Sequence, residues 1–187
     1  NTLNKFKSGI NFSHDEYDEQ VNNFNYLRTD QNVGAFFEFL HDNNENFSWI
    51  GGIRIDVHNR LGTFVTPRFH LKYLPLEKFV IRLSTGSGRK AANLFAENQT
   101  LFATNRKINI DSSGGQVYGL KPEKAWNYGL SLSKSFEVES DNLMVSVDYY
   151  ITDFVDQVVV DWEQSEEISF YNLAGDSSAK SFQLEVD

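Results

Sequence analysis

Phe64-Val65-Thr66-Pro67-Arg68-Phe69-His70-Leu71-Lys72-Tyr73 is the stretch that decides the fold. Val65, Pro67, Phe69, Leu71 and Tyr73 are apolar or aromatic, and Thr66, Arg68, His70 and Lys72 between them are polar or charged. Side chains alternate faces along a strand, so one face of this segment is apolar and the other carries the cations. The same two-residue period recurs along most of the chain, which predicts a large antiparallel sheet with one polar and one apolar side.

Outward from this segment, eight strand-like runs are expected, at about 4–14, 31–41, 46–58, 64–73, 78–85, 125–137, 142–160 and 178–187. In the first, Phe6, Ile10 and Phe12 oppose Lys5, Lys7 and Asn11; in the third, Trp49, Ile53, Ile55 and Val57 oppose Arg54 and Asp56. Residues 89–98 have the composition of a short helical turn, and no long amphipathic helix is present. Asp42–Glu45, Leu74–Glu77 and Val138–Asp141 read as tight turns, whereas 15–30, 86–124 and 161–177 read as longer links, with 59–63 the short one on that side. Short links at one edge and long ones at the other are the pattern of an outer-membrane barrel. A soluble antiparallel sandwich alternates too, so the pattern alone leaves both architectures open.

Composition narrows the function. The chain has 187 residues, a formal net charge of −9 and no cysteine. No basic patch marks a nucleic-acid binder, and no thiolate is available for a disulfide or a metal. No run approaches the roughly 20 apolar residues of a membrane helix, but a membrane β-strand needs only about 9–11 alternating ones. His14, His41, His58 and His70 lack paired ligand spacing, so neither a metal nor a cofactor is expected. The acidic run Asp15, Glu16, Asp18 and Glu19 lacks the spacing of a calcium loop. The Gly86-Ser87-Gly88-Arg89 segment lacks the glycine spacing and the Lys-Ser/Thr of a phosphate-binding loop. Two other readings stay open on residues alone. Trp49 and Trp126 could serve as the aromatic platforms of a soluble β-sandwich carbohydrate-binding module, and Asp148, Asp153, Asp156 and Asp161 could seed a hydrolase carboxylate pair.

Several motifs carry a family resemblance. Gly86-Ser87-Gly88-Arg89, Asn93 and Glu97-Asn98 follow a strand, and Leu120-Lys121-Pro122-Glu123-Lys124 precedes the next. Asp148-Tyr149-Tyr150-Ile151-Thr152-Asp153-Phe154 and Tyr171-Asn172-Leu173-Ala174-Gly175 to Phe182-Gln183-Leu184-Glu185 come after them, with Gln183 where glycine is commoner. In order and spacing over about 60–187 this resembles the barrel of TonB-dependent outer-membrane receptors; residues 1–60 fit by alternation only.

The resemblance implies an all-β fold: an antiparallel meander of about eight strands, part of a large transmembrane β-barrel in the bacterial outer membrane. It implies a transport protein rather than an enzyme, importing a scarce nutrient such as an iron–siderophore or other metal chelate with energy from the TonB complex. Residues 1–187 would be a partial barrel, without the plug domain and the remaining strands, and unable to transport alone. Both ends fall inside alternating runs, which fits that expectation. The 86–124 loop would be extracellular, and with it 15–30 and 161–177. Phe37, Phe39, Trp49, Phe69, Leu71 and Tyr73 would face outer-membrane lipid, and Arg54, Arg68, His70 and Arg82 the lumen. Arg89, Asn93, Glu97 and Asn98 are the expected contacts for a small-molecule ligand.

Overall fold

The computed structural model describes residues 3–21, 24–43, 45–138 and 141–187. In chain order the strands are β1 (Leu3–Val21), β2 (Phe24–Asp42), β3 (Phe47–His58), β4 (Gly62–Leu76) and β5 (Phe79–Lys90). A helical turn α1 (Leu94–Glu97) and a 3-10 turn (Gln99–Phe102) precede β6 (Lys107–Ile110). Then come β7 (Glu123–Val138), β8 (Asp141–Val155), β9 (Val158–Asp161), β10 (Glu167–Asn172) and β11 (Ser177–Val186).

Eight of the strands form one sheet in the order β1-β2-β3-β4-β5-β7-β8-β11, every pair antiparallel. This is the expected meander. It forms because each strand alternates in phase with its neighbour, so pairing keeps most apolar side chains on the same side, with Phe36 and Ile50 among those on the other. One hydrogen-bonded row shows this: Asn4, His41, Trp49, Leu71, Leu83, Leu130, Tyr149 and Phe182 lie opposite one another from edge to edge. Among the described residues no second sheet packs on the apolar side, as a sandwich would require: Ile10 is 88% exposed, Phe6 69% and Phe182 67%.

The apolar band does not run parallel to the rows. On β1 it reaches out to Phe12, while on β11 it stops at Phe182, whose row meets β1 at Asn4. The band therefore drifts eight residues, roughly 27 Å, across seven strand spacings, roughly 34 Å. A level band then needs strands inclined at roughly 40°, within the 35–45° tilt of outer-membrane barrels. A sandwich core, which follows the rows of its own sheet, imposes no such drift.

Three parts of the sequence behave differently from expectation. Residues 15–30 are not a long link: β1 and β2 stay paired from Leu3↔Asp42 up to Val21↔Phe24. The hydropathy alternation stops there because both faces have left the apolar band, but the hydrogen-bond ladder continues. The expected 142–160 strand is broken at Asp156, which takes a left-handed φ of 55°, and Val158–Asp161 leaves the large sheet. The 86–124 and 161–177 links are largely ordered. They form a second sheet, β6-β10-β9, with β6 parallel to β10 and β9 antiparallel to it. Of the tight turns, residue 44 and residues 139–140 lie outside the described residues, while Glu77-Lys78 closes the β4–β5 hairpin with Lys78 at φ 59°.

The hydrophobic core sits in this small cap, not in the large sheet. Ala92, Leu94, Phe95, Ile108, Val117, Tyr118, Leu120, Ile168 and Phe170 are its buried members, with Ile168 at 0% exposure. They come from two separate connections, so the β5–β7 and β8–β11 links fold as one body.

Candidate functional site

The outer half of the β1–β2 hairpin extends past β3, whose pairing with β2 ends at Asn32↔His58. Alternation puts Tyr17, Glu19, Tyr26, Arg28 and Asp30 on the polar face of that extension. These residues hold the cap. The Arg28 side chain, 1% exposed, has its Nε 3.3 Å from Asp30 Oδ2. Its Nη1 donates to the Ala92 carbonyl at 3.2 Å, and its Nη2 donates to Asn93 Oδ1. The guanidinium lies 3.9 Å over the Tyr17 ring and 5.3 Å from that of Tyr118. The buried guanidinium is tolerated because the Asp30 carboxylate matches its charge and the Ala92 and Asn93 oxygens take its two terminal nitrogens. Tyr118 completes the joint: its N–H donates to Tyr26 Oη at 2.9 Å and its hydroxyl donates to Glu19. Burial, with the Glu19 hydrogen bond second, pushes the Tyr118 phenol well above its usual range.

Under the cap lies a cleft of about 450 Å³. Asp15 and Tyr17 line it from β1, Asn32, Arg54 and Asp56 from β2 and β3, Arg89 from the end of β5, and Asn93 from the loop after it. Several of its charges are paired. Arg54 grips the buried Asp56 through two bonds of 2.7 Å, and Asn32 Nδ2 adds a third at 2.7 Å. Asp30 takes Arg60 at 3.2 Å in addition to Arg28. Glycine makes room for this network: Gly34 lies between Asn11 and Asp56 in the register, and a Cβ there would collide with both side chains.

The four expected ligand residues separate. Arg89 and Asn93 line the cleft, where Arg89 Nη1 donates to the Leu61 carbonyl at 3.2 Å and its guanidinium sits 5.0 Å over Phe64. Glu97 and Asn98 line a different cavity of about 230 Å³ beside Val158–Val160 and Phe170. There Glu97 pairs with Lys90 at 2.7 Å, and Asn98 Nδ2 donates to the Leu94 carbonyl at 2.9 Å. Arg54, Arg68, His70 and Arg82 share the polar face, as the register dictates. Only Arg54 reaches the cleft. Arg68 passes over Gly52 to pair with Glu38 on β2, and a Gly52 Cβ would come within 3.1 Å of the Arg68 chain. His70 and Arg82 line a cavity of about 480 Å³ lower on the same face.

Sequence reasoning missed Arg28, Asp30, Tyr17 and Asp15 as site residues. The available signal was the two-residue period carried past His14, which splits the acidic run: Asp15 and Glu19 fall on the polar face, Glu16 and Asp18 on the other. The carboxylates of the hydrolase reading are divided likewise, since Asp148 and Asp153 occupy opposite faces of β8.

Solved structures share this fold. The siderophore receptor PirA from Pseudomonas aeruginosa superposes with a TM-score of 0.71 at 14% identity, over 98% of this chain and 33% of that one. A mutant ferric enterobactin receptor PfeA from Pseudomonas aeruginosa, in complex with enterobactin, gives 0.70 at 12%, over 98% and 30%. The copper transporter OprC gives 0.67 at 16%, over 97% and 32%. The chain thus spans about a third of the length of each. No protein of curated function matches its sequence. The sequence does match the family model for the TonB dependent receptor-like beta-barrel over residues 2–187, and the chain belongs to that family.

Proposed function

We propose that this chain is one wall, eight strands wide, of an outer-membrane receptor that imports a scarce nutrient, an iron–siderophore or other metal chelate, with energy from the TonB complex. The observation that carries the reading is the exposed apolar band on one face of the sheet, inclined at roughly 40° to the hydrogen-bonded rows. Such a band matches lipid at an angle that barrel closure demands. The cap and the β1–β2 extension then stand outside the membrane, and the polar face lines the lumen around a plug domain. Arg89 and Asn93, with Asp15, Tyr17 and His58 beside them, are the ligand contacts on this wall. Glu97 and Asn98 fix the loop that presents them. The siderophore and copper receptors among the structural neighbours support the metal-chelate reading.

The test is uptake of radiolabelled iron chelates by cells carrying the complete receptor, with and without a functional TonB. Uptake that requires both proteins is the expected result. Uptake unaffected by the loss of TonB would overturn the reading.

A further inference from the structure

The lower half of the polar face holds a cavity rich in donors and free of carboxylates. Its volume is about 480 Å³, and His70, Lys72, Ser84, Arg82, Ser131 and Tyr150 line it. No Asp or Glu is among its lining residues. Lys72 and Arg82 lie directly opposite each other on β4 and β5, and His70 stands two positions along β4, opposite Ser84. Like charges directly opposite destabilise a strand pair. Higher on the same face, Arg54 and Arg68 each hold a carboxylate. Lys72, Arg82 and His70 make no ion pair or hydrogen bond among the described residues. Along their row the nearest carboxylates are Asp42 and Asp148, beyond Ser48 and Ser131, each two strand spacings or roughly 10 Å away. Gly129 keeps the floor of the cavity open: it lies between Ser84 and Tyr150 in the register, and a Cβ there would collide with both side chains.

We propose that this cavity is an anion site and that it takes a carboxylate. A carboxylate set between Lys72 and Arg82 turns their repulsion into charge-assisted hydrogen bonds, and the guanidinium fork of Arg82 matches its two oxygens. The Ser84, Ser131 and Tyr150 hydroxyls have no partner among the described residues and supply further donors. The carboxylate is also the anionic group that protein side chains and metal chelators share. It has two sources: an Asp or Glu in a part of the receptor outside this chain, or a free polycarboxylate passing along the lumen. Naming these sources rests on the receptor reading above; the donor set of the cavity does not.

The test uses the purified complete receptor. A water-soluble carbodiimide joins a carboxylate to the Lys72 amine as an amide, with loss of water, when the two are in contact, and mass spectrometry of the digest identifies the partner. If the receptor supplies the carboxylate, Lys72 should be joined to an Asp or Glu outside residues 1–187. Lys72→Arg, which keeps the charge and removes the amine, should abolish that product, and Arg82→Gln should lower its yield several-fold. If the carboxylate comes from solution, no such product forms. Citrate should then slow acetylation of Lys72 several-fold more than potassium chloride of equal ionic strength, with Lys107 in the cap unaffected. Either result supports the site and names its source. Absence of both effects, or an amide only to Asp42 or Asp148 of this chain, would overturn the assignment. TonB-dependent uptake is measured separately, so that failure would leave the receptor reading standing, and uptake independent of TonB would leave the anion site standing.

Discussion

The large sheet and the cap are stabilised in opposite ways. In the sheet, neighbouring strands pair along most of their length, but the apolar side chains point away from the protein: Ile55 and Val57 are exposed although β3 lies inside the sheet. The cap has only three short strands and a few turns, yet it contains the buried core, with Phe170, Leu120, Ile168 and Val117 fully enclosed. The sheet is therefore a structure for an apolar surrounding, and the cap is built like a small water-soluble domain. The joint between them is polar and buried, centred on Arg28 and Asp30. That arrangement fits a wall that crosses lipid and ends in water.

Changes that act on only one region should break the comparison most visibly. Phe170→Ala removes a ring that is 1% exposed and stacks on Phe102, with centroids 6.0 Å apart. It should cost the cap about 3–5 kcal/mol, the range for emptying a large aromatic site. Hydrogen exchange should then show lost protection across β6, β9 and β10 while β2–β4 stay protected; uniform loss would mean that the two regions fold as one. Ile55→Arg tests the other side. If the outward face meets lipid, folding into vesicles should weaken by about 2–4 kcal/mol, as for cations near the middle of a bilayer. An unchanged folding equilibrium in vesicles would place this face in water.

The smallest effect concerns the joint. The Tyr118 phenol is held protonated by burial and by its bond to Glu19, so its folded pKa lies above the unfolded value of about 10. The sign follows: this stabilisation is complete below pH about 10 and is lost as pH rises through the folded value. In an ultraviolet titration, the difference between the native protein and Tyr118→Phe should be a phenol that ionises after the bulk of the tyrosines. Ionisation with the bulk would show that the joint is open to water.

The comparison also explains which parts were legible. The meander could be read from strands such as 64–73 and 46–58, because alternation there records two different environments on the two faces. The same rule lost its signal at Asp15–Glu19, where both faces are polar, and so the hairpin extension read as a loop. The cap was hidden for a different reason. Ile108 and Phe170 sit in strands too short to establish a period and Leu120 in a turn, and only contact between two distant connections makes them a core. Arg89 and Asn93 could be picked out by motif, but Arg28, which holds Asn93 in place, lies 65 residues away from it.

The sequence by itself determined the period, the polarity of each face and the strand order, because local alternation and short turns leave the chain one register that keeps like with like. Only the tertiary structure decided that two connections merge into a cap, that Arg28 joins it to the hairpin, and that Arg89 and Asn93 meet Arg54 and Asp56 in one cleft. Those outcomes depend on contacts between residues far apart in the chain, and no local pattern encodes a distance in space.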